Sequence, residues 1–180
     1  MTYVVAYIYL CSQLHKYSMK DDFLTELGYL ALAARFKRLS EAMVHGGRNM
    51  YKSLDLDIEP NWYLIFKLLT KHQKLAITEI SELLRFSHPS VISMVKKMKA
   101  RGYLSTSVDI IDSRKQIVEL TSKALELMPQ LENIWKAGTE GTKKMLDDND
   151  DFLDKLTNLE IQFRKHDFMV RTLNELKDGE

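Results

Sequence analysis

Three serines, Ser87, Ser90 and Ser93, recur at three-residue spacing and are followed by Lys96 and Lys97. From Ser87 to Arg101 the charged residues are Lys96, Lys97, Lys99 and Arg101, with no acid among them. Small hydroxyls allow a close backbone approach and bond phosphate oxygens or base edges, and lysines neutralise phosphates. A second polar cluster, Asp112-Ser113-Arg114-Lys115, places two cations beside an acid within four residues. Arginine in such a tip suits phosphates or the negative potential of a minor groove, whereas Asp112 suits holding Arg114 or the turn in place. The chemistry these residues offer is non-covalent recognition of a polyanion.

No competing chemistry is visible. The sequence has no nucleophile–base–acid arrangement, no glycine-rich phosphate loop, and neither H-E-x-x-H nor C-x-x-C. His15, His45, His72, His88 and His166 are scattered without metal-ligand spacing, and Asp147–Asp151 lacks the glycine and distal glutamate of a calcium loop. We therefore expect neither enzyme activity, nor a cofactor, nor a structural metal. The net charge is only +1, so any affinity for nucleic acid must come from local placement of charge.

The elements that must position these residues follow from periodicity. Thr78 is a candidate cap for a short helix whose apolar face is Ile80, Leu83 and Leu84. Arg85 and Phe86 fill a tight connection. Ser87 is a favourable N-cap and Pro89 a favourable first-turn residue for a second helix, about His88 to Arg101. Val91, Met94, Val95 and Met98 form its inner stripe, and Gly102 ends it. Lys99 and Arg101 read as solvated or helix-dipole charges. Tyr103–Ile110 and Gln116–Leu120 are rich in Val, Ile, Thr and Tyr and read as a β-hairpin around the polar tip. Leu75-Ala76-Ile77 is a candidate third strand. A helix-turn-helix followed by such a hairpin is a nucleic-acid recognition unit.

Three stretches carry a family resemblance: Asp112-x-Arg114-x5-Leu120-Thr121, the Ser-x-Pro-Ser start at Ser87–Ser90, and Leu56-Asp57-Ile58-Glu59-Pro60-Asn61-Trp62. The chain resembles the multiple-antibiotic-resistance regulator (MarR) family over roughly Asp22 to Leu176. The resemblance implies a homodimeric winged-helix transcription factor, often a repressor, often relieved by a small ligand. By position it places Ser87, His88, Pro89, Ser90, Ser93 and Lys97 in or beside the major groove, with Lys96 on the same side, and makes Arg114 the wing-tip arginine with Lys115 next to it. The chain departs from the family at His88, often Lys, at Ile92, often a small hydroxyl residue, and at Ser93, frequently Arg. Its recognition surface is accordingly less cationic, and a protein-interaction module or a ligand-binding dimer without sequence-specific DNA binding stands as the alternative.

The fold expected is mainly α with a small β wing, in which N- and C-terminal helices form a helical dimerisation domain. Residues 1–21 read as an extension; Met19 resembles a natural start, and Cys11 lacks a cation fixed beside it. A single cysteine fits a reducing, cytoplasmic compartment, and the apolar run Val4–Cys11 is too short to span a bilayer. Residues 22–55 form a dimerisation helix with two apolar stripes (Phe23, Leu27, Leu30, Ala34 and Leu32, Phe36, Leu39, Met43), kinked or broken at Gly46-Gly47. Residues 56–121 form the winged domain, opened by a helix from Pro60 to Thr70. Residues 122–176 form two further dimerisation helices: Ser122–Leu146, capped by Thr121 and bent at Pro129, and one from Asp151 to about Leu176. Residues 177–180 are a tail. Tyr29, Phe36, Trp62 and Phe66 are candidate walls of a ligand pocket, although aromatics at helical spacing are more often core.

Overall fold

The computed structural model describes residues 22–179. Two compact units divide between Thr121 and Ser122.

The first unit opens with a single helical turn, α1 (Phe23–Glu26), and a 3-10 turn, Gly28–Ala31. Asp22 fixes this entry: its carboxylate accepts from Thr25 Oγ1 at 2.7 Å and from both terminal nitrogens of Arg38 at 2.8 Å. Those donors hold the Asp22 carboxyl well below the usual carboxylate range, the Arg38 bonds most of all. Helix α2 (Leu32–Ser53) then runs without interruption through Gly46-Gly47. The expected break is absent, and one of the two glycines has a packing role. A Cβ on Gly47 would lie 3.2 Å from Pro60 Cβ and Cγ, so the glycine is where α2 admits the next segment. The chain departs from α-geometry at Gly28 instead, where φ is +55°.

Pro60–Trp62 forms a 3-10 turn that leads into α3 (Tyr63–His72). Strand β1 (Lys74–Ala76), helix α4 (Ile77–Leu84), helix α5 (His88–Ala100), and strands β2 (Leu104–Val108) and β3 (Gln116–Leu120) complete the unit. The sheet is antiparallel in the order β1-β3-β2, with Lys74 opposite Glu119 and Leu104 opposite Leu120. Its core contains Trp62, Ile65, Phe66, Leu69, Ile80, Val91, Val95, Met98, Tyr103 and Val118. The Tyr103 ring meets Trp62 and Phe66 edge-on at 6.0 and 5.8 Å, the arrangement aromatic quadrupoles favour.

Local corrections to the sequence reading concern α4. Its N-cap is Ala76, not Thr78, and the Glu79 carboxylate reaches back to the Ala76 amide at 2.6 Å. That shift makes Ile77 and Ile80 the buried face and leaves Leu83 53% exposed.

The second unit comprises α6 (Ser122–Met145), α7 (Asp151–Lys165) and α8 (Phe168–Asp178). Pro129 lies inside the continuous α6, whose buried stripe is Ala124, Met128 and Leu131. The single last helix expected from the sequence is two. Asp167 caps α8 by accepting from the Val170 amide at 2.9 Å. Arg171 bridges the break, donating to the carbonyls of His166 at 3.0 Å and Gln162 at 2.8 Å. No helix among the described residues is long and apolar enough to cross a membrane.

Candidate nucleic-acid interface

Helix α5 is set by local signals at both ends. Ser87 occupies the N-cap with extended backbone (φ −62°, ψ 140°), and Pro89 falls in the first turn. The hydroxyl of Ser87 does not cap an amide; its Oγ lies 2.7 Å from Ser90 Oγ. Gly102, at φ +77°, follows the C-cap Arg101 and supplies the left-handed residue that turns the chain into β2. Val91, Val95 and Met98 are buried, with Met94 half-buried, and anchor one side of α5 to the core. Ser87, His88, Pro89, Ser90, Ser93, Lys96 and Lys97 are all exposed, so α5 presents hydroxyls at its start and two lysines two turns later. Ile92 lies among them, 43% exposed.

The turn before α5 uses a non-glycine left-handed residue. Arg85 has φ +54°, and the Arg85 and Phe86 amides close the end of α4 on the carbonyls of Glu82 and Ser81. The His88 ring nitrogen Nδ1 stands 3.4 Å from Ser81 Oγ, which tethers the first residue of α5 to α4. Asn61, Arg85, Phe86, Ser87, Ser90 and Met94 surround a cavity of about 480 Å³ at this corner.

The cations near the end of α5 divide by partner. Lys99 donates to the Thr106 hydroxyl, and Arg101 pairs with Asp57, so both are engaged within the unit. Lys96 and Lys97 have no acid held against them among the described residues.

The hairpin closes with Val108 opposite Gln116, and residues 109–115 form its tip. Asp109, not singled out from the sequence, organises that tip. Its Oδ1 accepts from the amides of Ile111 at 2.7 Å and Asp112 at 2.8 Å, an Asx turn. An aspartate two to three residues before the polar tip, placed to bond the following amides, is the signal that could have found it. The Asp109 amide donates to the Lys115 carbonyl at 3.0 Å, and the Lys115 amide to the Asp112 carbonyl at 2.9 Å. Asp112 Oδ1 accepts from Arg114 Nε at 3.0 Å and its amide at 3.1 Å, while Oδ2 accepts from Nη2 at 3.3 Å. The Arg114 guanidinium and amide hold the Asp112 carboxyl below its ordinary value, and the amides of Asp112 and Ile111 do the same for Asp109. Arg114 itself remains 89% exposed, with Nη1 directed to neither carboxylate oxygen, and Lys115 is exposed beside it.

Of the four side chains expected to wall a ligand pocket, two meet on one ring in the core and two lie at the surface. Trp62 and Phe66 are sealed in the core against Tyr103, Tyr29 is 97% exposed and Phe36 is 38% exposed. None of them lines the corner cavity, whose Asn61 and Arg85 were not read from the sequence as site residues.

No protein-family model matches the sequence, and no curated protein matches it either. Solved structures do. The S. aureus MepR–DNA complex superposes with a TM-score of 0.63 at 16% identity, covering 73% of this chain and 97% of that one. This chain has the MarR-type winged-helix fold. An E. coli MarR variant complexed with operator DNA matches at TM-score 0.58 and 17% identity, covering 79% of this chain and 98% of that one. The PcaV transcriptional regulator from Streptomyces coelicolor, in complex with its natural ligand, matches at TM-score 0.60 and 15% identity, covering 75% and 92%. In the MarR-type fold α4 and α5 are the helix-turn-helix, and β2 and β3 are the wing.

Proposed function

We propose that the chain is a DNA-binding transcriptional regulator acting as a homodimer, with α5 in the major groove and the wing against flanking phosphates or the minor groove. The observation that carries this reading is the outer face of α5: hydroxyls at its N-terminus, Lys96 and Lys97 without acidic partners among the described residues, and a buried stripe opposite that fixes the helix to the core. Two of the structural neighbours, MepR and MarR, were solved on DNA.

The dimer reading rests on apolar surface. In the first unit Phe23, Leu30, Leu39 and Met43 are each more than half exposed; in the second, Phe163, Phe168 and Leu176 are likewise. Large exposed apolar patches mark interaction surfaces, and helices flanking the winged core are where a second copy would cover them. A two-fold dimer presents two α5 helices to successive major grooves, about 34 Å apart, on a pseudo-palindromic site. Both must fit at once, so a ligand that alters their separation releases DNA, which is the behaviour of a ligand-responsive repressor. The ligand-bound PcaV neighbour supports an effector.

The test is fluorescence anisotropy with a labelled duplex from upstream of the protein's own gene, titrated beside a scrambled duplex at two salt concentrations. Tight, salt-sensitive binding to the native duplex alone is expected. Equal weak binding to both duplexes, and to every duplex recovered by a genome-wide selection, overturns the reading in favour of a protein-interaction module.

A further inference from the structure

The wing tip carries a feature that phosphate contact does not use. Ile110 and Ile111 are 101% and 97% exposed, and Val108 at the end of β2 is 60% exposed. Two adjacent isoleucines in water at the apex of a hairpin are costly, and no described residue covers them. They are nonetheless held. The Asp109 carboxylate takes the Ile111 and Asp112 amides, and the Asp109 and Lys115 amides close the loop. The tip is therefore an ordered apolar prow, its conformational entropy already spent in folding.

We infer that Ile110 and Ile111 form an apolar wedge that enters the DNA minor groove beside the α5 site and partly unstacks a base step. The inference rests on the DNA-binding reading above. Three observations favour duplex DNA as the occupant. Arg114 and Lys115 stand in the same seven-residue tip, so cations accompany the apolar pair to a surface of phosphates. The two acids of the tip are already taken up, Asp109 by backbone amides and Asp112 by Arg114. The pair is also too small for a protein partner: two isoleucine side chains offer on the order of 200 Å², against roughly 800 Å² per side of a stable protein interface. A minor groove about 6 Å wide admits a hairpin apex, and inserted Ile, Leu or Phe side chains kink duplexes by opening base steps. Flexible pyrimidine–purine steps at the wing position would be preferred without any base-edge hydrogen bond.

The experiment uses the full chain and a duplex enriched from a random library by the wild-type protein. 2-Aminopurine, which brightens on unstacking, replaces adenine at successive positions outside the α5 contacts. Wild type is expected to brighten one flanking position. The I110S/I111S variant should lose that signal and bind about tenfold more weakly, since two apolar transfers are lost while the unstacking cost is no longer incurred. The I110L/I111L variant should restore both. Thermal melting of the serine variant should match wild type, because neither side chain is packed. A serine variant that brightens and binds like wild type overturns the wedge, as does a wild-type complex with no bright flank. Failure to enrich any duplex overturns the DNA-binding reading itself, and the wedge with it.

Discussion

Replacing Ser90 by Glu should move stability and DNA binding in opposite directions. Ser90 is the third residue of α5, three after the N-cap Ser87, and its hydroxyl is tied to that of Ser87 at 2.7 Å. A Glu there completes the Ser-x-x-Glu capping box: Ser87 is freed to accept from the position-90 amide, and the carboxylate reaches back to the Ser87 amide. A negative charge in the first turn also complements the helix dipole, worth about 0.3–1 kcal/mol. Against this stands one exposed hydroxyl–hydroxyl bond, about 0.5 kcal/mol. The net is on the order of +0.5 kcal/mol, or a rise in melting temperature of roughly 1–2 °C for a chain of this size.

In the proposed DNA complex the same charge would face phosphates. At about 8 Å and an effective dielectric near 20, repulsion is about 2 kcal/mol per protomer. Two copies in the proposed dimer give about 4 kcal/mol, roughly a 1,000-fold loss at low salt, shrinking as salt screens it. Differential scanning fluorimetry and anisotropy on one preparation read both quantities. Ser90→Ala is the control, expected to stay within about threefold of wild-type affinity because it adds no charge. Ser90→Glu with raised melting and undiminished affinity would show that the start of α5 does not face DNA.

Arg114→Ala should lower DNA affinity with the dimer intact by light scattering; unchanged affinity would sink the wing assignment. With Lys96, Lys97, Arg114 and Lys115 on phosphates from both protomers, the slope of log affinity against log salt should be about −7, falling by about 2 in that variant. Gly46→Ala, with nothing within 4 Å of the new Cβ, should stabilise by roughly 0.5–1 kcal/mol through helix propensity. Gly47→Ala should fall clearly below it, because its Cβ meets Pro60 at 3.2 Å; equal melting temperatures would refute that contact. The wing tip should loosen in acid. Asp109 and Asp112 have folded values depressed below the unfolded carboxylate near 3.9, so their contribution is present above about pH 4 and is lost as pH falls through the lower folded values. Amide resonances of Ile111, Asp112 and Arg114 report this directly, and their constancy to pH 2 would count against the hydrogen bonds described.

What the sequence made legible had local causes. Ser87, Pro89 and Gly102 mark the ends of α5 because an extended residue at the N-cap position, a first-turn proline and a left-handed glycine are each local backbone requirements. The hairpin followed from β-branched residues on either side of a polar tip. Misreadings arose where the cause was distant or two signals competed. Gly46-Gly47 resembles a helix break, yet the decisive partner is Pro60, thirteen residues beyond Gly47. The apolar repeat Phe152, Leu156, Leu159 and Phe163 masked the Asp167 cap, and Arg171, which bridges the break, is unremarkable in sequence. Arg85 adopts a conformation usually left to glycine, which no residue-type rule announces.

The same distinction explains how a chain of net charge +1 could present the proposed polyanion-binding face. Counting charges treats every lysine and arginine alike, but the fold assigns them partners. Arg38 is held by Asp22, Arg48 by Glu59, Lys74 by Glu119 and Arg101 by Asp57, so these cations contribute little net field beyond their own pairs. Lys96 and Lys97 have no such acid among the described residues. Arg114 is an intermediate case, because its bond to Asp112 both orients it and must compete with phosphate for the same donors. Removing Asp112 would therefore free the arginine's charge while losing its aim. Affinity for non-specific DNA and selectivity for the proper site should then move apart: the first depends on charge alone, the second on where the guanidinium is held.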